Sequence, residues 1–164
     1  KKFISDLLAG AKVKLVGTAP WLSESNLPID ENGELTIEVT EKKIIPQPDC
    51  LVYHPQKVAI AITFPNSGTL SHIYELLEEA QVSPKAVAVI LAPLYLAADP
   101  ILENIAHIFQ VPIRFFAVSQ LTKFTTQGYC FHEAVVCAGT EPNNKSLCSP
   151  FSQITLSISP EIIN

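Results

Sequence analysis

The sequence predicts an α/β fold: a mostly parallel sheet with helices on both faces, three layers deep, preceded by a small α/β segment. Three observations predict it. The runs V-A-I-A-I (58–62) and A-V-A-V-I-L-A-P (86–93) leave no polar face, as expected of strands covered on both sides. The segments that follow them have helical spacing and crossover length, so successive strands should run parallel. At 164 residues, 48% hydrophobic and 16% charged, the chain can fill one such core.

The elements follow in order. K-K-F-I-S-D-L-L-A-G-A (1–11) is an amphipathic helix with Phe3, Ile4, Leu7 and Leu8 on one face and Gly10 near its end. K-V-K-L-V-G (12–17) is a short strand. Residues 18–34 are rich in Pro, Ser, Asn and Gly, a loop with room for one helical turn. L-T-I-E-V-T (35–40) alternates like a half-exposed strand, and C-L-V-Y-H-P (50–55) is another brief one. After Pro55 the pattern changes, and a boundary is expected near 54–57. Residues 1–54 would form a small linking region and 55–164 the main α/β domain.

In that second part K-V-A-I-A-I-T-F (57–64) is an apolar strand. T-L-S-H-I-Y-E-L-L-E-E-A-Q-V (69–82) is a helix with Leu70, Ile73, Leu76, Leu77 and Ala80 inward. S-P-K-A-V-A-V-I-L-A-P (83–93) supplies a turn and a buried strand. D-P-I-L-E-N-I-A-H-I-F (99–109) is a helix with Asp99 as N-cap and Pro100 in its first turn. V-P-I-R-F-F-A-V-S (111–119) is a strand and S-Q-L-T-K-F (119–124) a short helical turn. Y-C-F-H-E-A-V-V-C-A-G (129–139) is a helix, and S-L-C-S-P-F (146–151) and Q-I-T-L-S-I-S (153–159) pair as closing strands.

Charge and composition narrow the partners. The net charge is −5, Arg114 is the sole arginine, and the lysines are scattered, so no phosphate-tracking patch for nucleic acid is expected. Mean hydropathy is +0.27, yet Pro93 interrupts the longest apolar run well short of the ~20 residues that span a bilayer. The opening stretch lacks the apolar core of a secretion signal, and a cytoplasmic location with reduced thiols is expected. Lys1 as first residue and the absence of methionine suit a piece of a longer chain.

The chemistry-bearing residues are sparse. His54, His72, His107 and His132 show no metal-ligand spacing, and no metal site is expected. His72 and His107 read as solvent-facing. Cys50, Cys130, Cys137 and Cys148 form no C-x-x-C pair and sit in apolar contexts, where a thiol acts as a small core hydrophobe. There is no G-x-S-x-G elbow, and Ser67 before Gly68 reads as a turn or cap. Glu75, Glu78 and Glu79 form a solvated helix face. The best positional candidate is the stretch A-I-A-I-T-F-P-N-S-G-T (59–69), where an apolar strand ends on a polar turn at a helix start. Free amides there could cradle a carboxylate or phosphate. The candidate binding residues are Thr63, Asn66, Ser67, Gly68 and Thr69.

Several stretches together resemble one family. L-L-A-G-A-K-V-K-L-V-G, L-V-Y-H-P, the apolar strand into S-G-T, and above all residues 83–121 are similar to the cobalt-precorrin 5A hydrolases of cobalamin biosynthesis (CbiG) and their single-domain relative CobE. F-H-E-A-V-V-C-A-G and the closing K-S-L-C-S-P-F-S-Q-I-T-L-S-I-S continue in register. The resemblance covers that family's central and C-terminal regions. It implies a hydrolase that opens the lactone of a cobalt-precorrin and releases acetaldehyde. It also implies a corrinoid ligand, no separate cofactor, and a precorrin methyltransferase as fused or separate partner.

The departures are as informative as the likeness. The family's signature loop is of the type G-x-G-C-x-R-G; here Ala61 and Thr63 stand near the first two glycines, Phe64 near the cysteine and Asn66 near the arginine. Only Gly68 matches. Where the family has D-x-K after the next strand, this chain has Leu94, Tyr95, Leu96 and Ala97. C-S-P-F-S-Q stands where a basic run would precede the last strand. A substrate with many carboxylates calls for cations at such loops. The resemblance therefore carries two expectations: a cobalt-precorrin 5A hydrolase-like enzyme, or a non-catalytic scaffold or interaction domain derived from that family.

Overall fold

The computed structural model describes residues 1–140, 145–149 and 154–158. The chain divides into two compact units, Lys1–Pro55 and Gln56–Asn164. Residues 150–153 and 159 of the expected closing strands lie outside the described residues.

In the first unit, α1 (Lys2–Leu8), β1 (Val13–Val16), α2 (Pro20–Ser23), β2 (Leu35–Val39) and β3 (Cys50–Tyr53) build a three-stranded parallel sheet of order β1-β2-β3. Val13, Ala19, Leu22, Leu35 and Ile37 form its core, with Phe3 and Leu7 packed against it. The sequence places Ile4 and Leu8 on the same inward face, but they are 63% and 83% exposed. A seven-residue helix over a small sheet has only one stripe covered, and Phe3 and Leu7, one turn apart, occupy it. Two glycines are required by geometry. Gly17 ends β1 at φ +95°, and a Cβ there would lie 2.3 Å from the Val39 carbonyl oxygen. A Cβ on Gly33 would lie 2.5 Å from the backbone of Val13 and Lys14. Trp21 meets the ring of Tyr53 edge-on at 5.4 Å.

The second unit is a five-stranded sheet of order β6-β5-β4-β8-β7. Its elements are β4 (Val58–Ile62), α3 (Thr69–Glu79), β5 (Val87–Pro93), α4 (Pro100–Phe109), β6 (Ile113–Phe116), α5 (Val118–Thr125), α6 (Phe131–Gly139), β7 (Lys145–Ser149) and β8 (Ile154–Ile158). β4, β5 and β6 are parallel; β8 runs antiparallel to β4, and β7 to β8. Every residue of β4 is buried, as its unbroken apolar run requires. Period-two alternation sends Val58, Ile60 and Ile62 into the core with α3 and α4, and Ala59 and Ala61 toward α5 and α6. This is the three-layer α/β arrangement that the sequence predicts.

The two helical layers pack differently. α3 buries Ile73, Leu76 and Leu77, and α4 buries Leu102, Ile105 and Ala106. α6 lies close across the sheet: His132 near its start reaches Thr155 of β8, and a Cβ on Gly139 would come within 2.7 Å of Leu91 on β5. Alanines on β4 and a glycine on α6 permit that approach. Asp99 caps α4 by accepting the Ile101 amide at 2.8 Å, with Pro100 in the first turn. α5 is longer than the expected short turn, covering eight residues. The Gln120 side chain accepts the Ala117 amide at 2.8 Å, and Leu121 is fully buried beneath it.

Candidate functional site

The carboxyl ends of β4, β5 and β6 lie at one edge of the parallel part of the sheet, and α3 and α4 start there. Binding groups collect at such an edge because helix N-termini and strand-to-helix loops converge on it. The candidate residues Thr63, Asn66, Ser67, Gly68 and Thr69 all belong to the β4–α3 connection. Thr63 is 3% and Thr69 1% exposed, while Asn66 and Ser67 face solvent.

The turn is closed by its own hydrogen bonds. The Asn66 amide donates to Thr69 Oγ1 at 2.8 Å, and the Thr69 amide donates to the Asn66 carbonyl at 3.1 Å. The Asn66 side-chain oxygen accepts the Gly68 amide at 2.8 Å. Gly68, rather than Ser67, is the N-cap of α3, and the His72 amide donates to its carbonyl at 3.1 Å. Among the described residues, only the Leu70 and Ser71 amides of that first turn have no acceptor from the chain. Gly68 has an ordinary φ of −92°, so its value is compactness: a Cβ would sit 3.2 Å from Asn66 Oδ1 and 3.4 Å from His72 Cε1.

Beside this turn is a shallow groove of about 290 Å³, lined by Asn66 and Ser67 of the β4–α3 connection, Leu70 of α3, and Pro100, Ile101 and Asn104 of α4. That volume is at the low end for small-molecule sites. The start of α4 is less hospitable to an anion than that of α3. Pro100 offers no amide, and the Asp99 carboxylate already occupies the cap.

Around the turn the rim is apolar. Phe64 after β4, and Leu94 and Tyr95 after β5, are 66%, 53% and 63% exposed. Residues 59–70 and 93–104 contain no lysine or arginine. The sequence flags these three as replacements in the resembling family's loops, but periodicity gives no warning that they stand open to solvent.

The histidines and cysteines are dispersed. His107 is exposed on α4. His72, expected to face solvent, is half-buried beside Gly68 with its Nδ1 screened and unpartnered. Its place in the first turn of α3 tucks the ring against the closed loop. His54 Nδ1 lies 2.7 Å from the Thr40 carbonyl, and His132 Nδ1 2.6 Å from Thr155 Oγ1. Cys130 is exposed rather than buried, because it is the N-cap residue of α6, its amide donating to Glu133 at 2.8 Å. Cys50 and Cys137 are half-buried; loss of hydration, then Glu38 and Glu133 respectively, push both thiols above their ordinary value. Cys148 lies on β7. No group of three histidine, cysteine or acidic side chains able to hold a metal occurs among the described residues. No helix among them is long and apolar enough to cross a membrane.

No protein-family model matches the chain, and no curated protein matches it. Among solved structures the chain is similar to a protein from Sulfolobus solfataricus assigned as a homolog of cobalamin biosynthesis protein G, at 17% identity and a TM-score of 0.46. The likeness covers 94% of this chain and 52% of the other, so the chain spans about half that protein's length.

Proposed function

We propose that this chain is a domain of a cobalamin-biosynthesis protein resembling the central and C-terminal part of the cobalt-precorrin 5A hydrolases, contacting a corrinoid without performing the hydrolytic step itself. One observation carries the reading: the carboxyl ends of β4 and β5 pair exposed flat side chains, Phe64 and Tyr95, with the closed turn and the two unbonded amides of α3. A cobalt-precorrin has a flat apolar face and a rim of carboxylates. The rings suit the face, and the Leu70 and Ser71 amides can donate to one carboxylate. Binding residues are then Asn66, Ser67 and Gly68 with those amides, while Thr63 and Thr69 hold the turn from beneath.

Lactone opening needs an activated water or nucleophile and charge stabilisation at the developing alkoxide. The β4–α3 loop offers neither, since no acid, cysteine, lysine or arginine stands in 59–70, and Asp99 of the β5–α4 loop is engaged in capping α4. The chain would hold or hand over the corrinoid, and another segment or protein would supply the chemistry.

Titration of a carboxylate-bearing corrinoid with this chain, followed by visible absorbance, tests the reading. A saturable spectral shift without acetaldehyde release is expected. Absence of any shift at high micromolar corrinoid would exclude corrinoid contact, and acetaldehyde release by this chain would restore the hydrolase reading. The second reading, a protein-contact domain for a precorrin methyltransferase, is favoured by the clustering of Phe64, Leu94 and Tyr95 on one rim. It predicts co-elution with such an enzyme and no corrinoid shift.

A further inference from the structure

Arg114 is the chain's sole arginine, and among the described residues its charge has no partner. It lies on β6, where Ile113 and Phe115 turn toward the core beneath α3 and α4. Arg114 and Phe116 turn to the opposite face, where Phe116 packs with Leu121 and Val135. The guanidinium carbon sits 5.4 Å from the centre of the Phe116 ring. The side chain is thus directed along the strand toward its carboxyl end, the end at which the β4 and β5 loops also open. Its Nη1 is screened from water and has no hydrogen-bond partner.

Among the described residues, a neutralising carboxylate is missing from the facing elements. Residues 115–130, which include α5, contain no aspartate or glutamate. On α6 the one acid, Glu133, is engaged with the Cys130 amide. The acids of α3 and α4 belong to the other helical layer. A half-buried cation with an unsatisfied donor is unfavourable in the free protein, whereas an apolar residue there would simply pack. Contact with the ring orients the planar guanidinium, and with Nη1 screened the donors left for a planar, two-oxygen acceptor are Nε and Nη2.

We propose that Arg114 binds a carboxylate of a ligand entering at the carboxyl end of β6. The inference concerns the same end of the sheet as the proposed corrinoid contact, but it stands on its own geometry. Succinate serves as probe, so failure of corrinoid binding and failure of this site are separately readable.

The test compares thermal unfolding of the chain and its Arg114→Met and Arg114→Lys variants in succinate and in chloride at equal ionic strength and pH. Succinate should raise the midpoint of the parent chain. It should do so less for Arg114→Lys and not at all for Arg114→Met, which in chloride should melt no lower than the parent. An equal succinate response in parent and Arg114→Met, or none in the parent, overturns the proposal. Should Arg114→Met fail to fold, the parent's single arginine Nε–H resonance decides: displacement by succinate supports the site, and an unmoved signal excludes it.

Discussion

Asn66 and Thr69 hold one another at the start of α3: the Asn66 amide donates to Thr69 Oγ1 at 2.8 Å, and the Thr69 amide returns to the Asn66 carbonyl at 3.1 Å. Thr69 is 1% exposed, so its hydroxyl meets this demand away from bulk water. Thr69→Val keeps the shape and removes the acceptor, leaving the Asn66 amide unsatisfied. The expected loss is about 1–2 kcal/mol in urea unfolding. Thr69→Ser, which keeps the oxygen, should lose less.

Gly33 and Gly68 are predicted to differ sharply. A Cβ on Gly33 enters the backbone of Val13 and Lys14, which cannot move without breaking β1. Gly33→Ala should therefore destabilise the first unit by about 3 kcal/mol, at the upper end of overpacking costs. Gly68→Ala meets only side-chain atoms at an ordinary φ, so the entropy gained from the unfolded chain roughly offsets the crowding. Trp21, the one tryptophan, packs against Tyr53 in the first unit, so denaturant titration followed by its fluorescence reads the Gly33 change.

What the sequence discloses and what it hides divide along physical lines. Unbroken apolar runs disclose β4 and β5, because burial on both faces leaves no other composition possible. Asp99-Pro100 discloses the start of α4, since cap and first turn are local. Ile4 and Leu8 mislead, because periodicity locates an apolar face but not how much of it the neighbours cover. The position of the 63–69 turn at a strand–helix junction is legible. Its internal hydrogen bonds are not, because they depend on which of several polar groups meets which amide. Arg114 and Phe116 show the same limit: alternation places both on one face, but only tertiary packing reveals that no acid among the described residues faces the guanidinium.

Cys137 makes stability sag at alkaline pH. Its thiol is pushed above its ordinary value of 9.0, by burial first and by Glu133 second. The neutral thiol is thus favoured in the folded state. That preference is fully present below the unfolded value and is lost as pH rises through the folded one. Between pH 6 and 8 this group should leave stability unchanged; above pH 9 it should lower it. Cys137→Ala should show a smaller fall between about pH 8 and pH 10 than the parent, measured by denaturant unfolding. In the folded chain at pH 8, iodoacetamide should label exposed Cys130 well before Cys137.

Ser67→Arg offers a gain-of-contact prediction for the proposed corrinoid site. Ser67 is exposed, lines the groove between α3 and α4, and takes no part in the hydrogen bonds that close the turn. An arginine there would supply the cation that residues 59–70 lack. It also carries a cost, because a positive charge near a helix N-terminus is unfavourable by about 0.3–1 kcal/mol. The variant should therefore be slightly less stable alone, yet bind a carboxylate-bearing corrinoid several-fold more tightly at low salt. Raising the ionic strength should erode that gain. Phe64→Ser with Tyr95→Ser should do the reverse, leaving stability near the parent's because both rings are exposed, and weakening the corrinoid spectral shift about tenfold or more. Unchanged affinity in both variants would move the contact away from this end of the sheet.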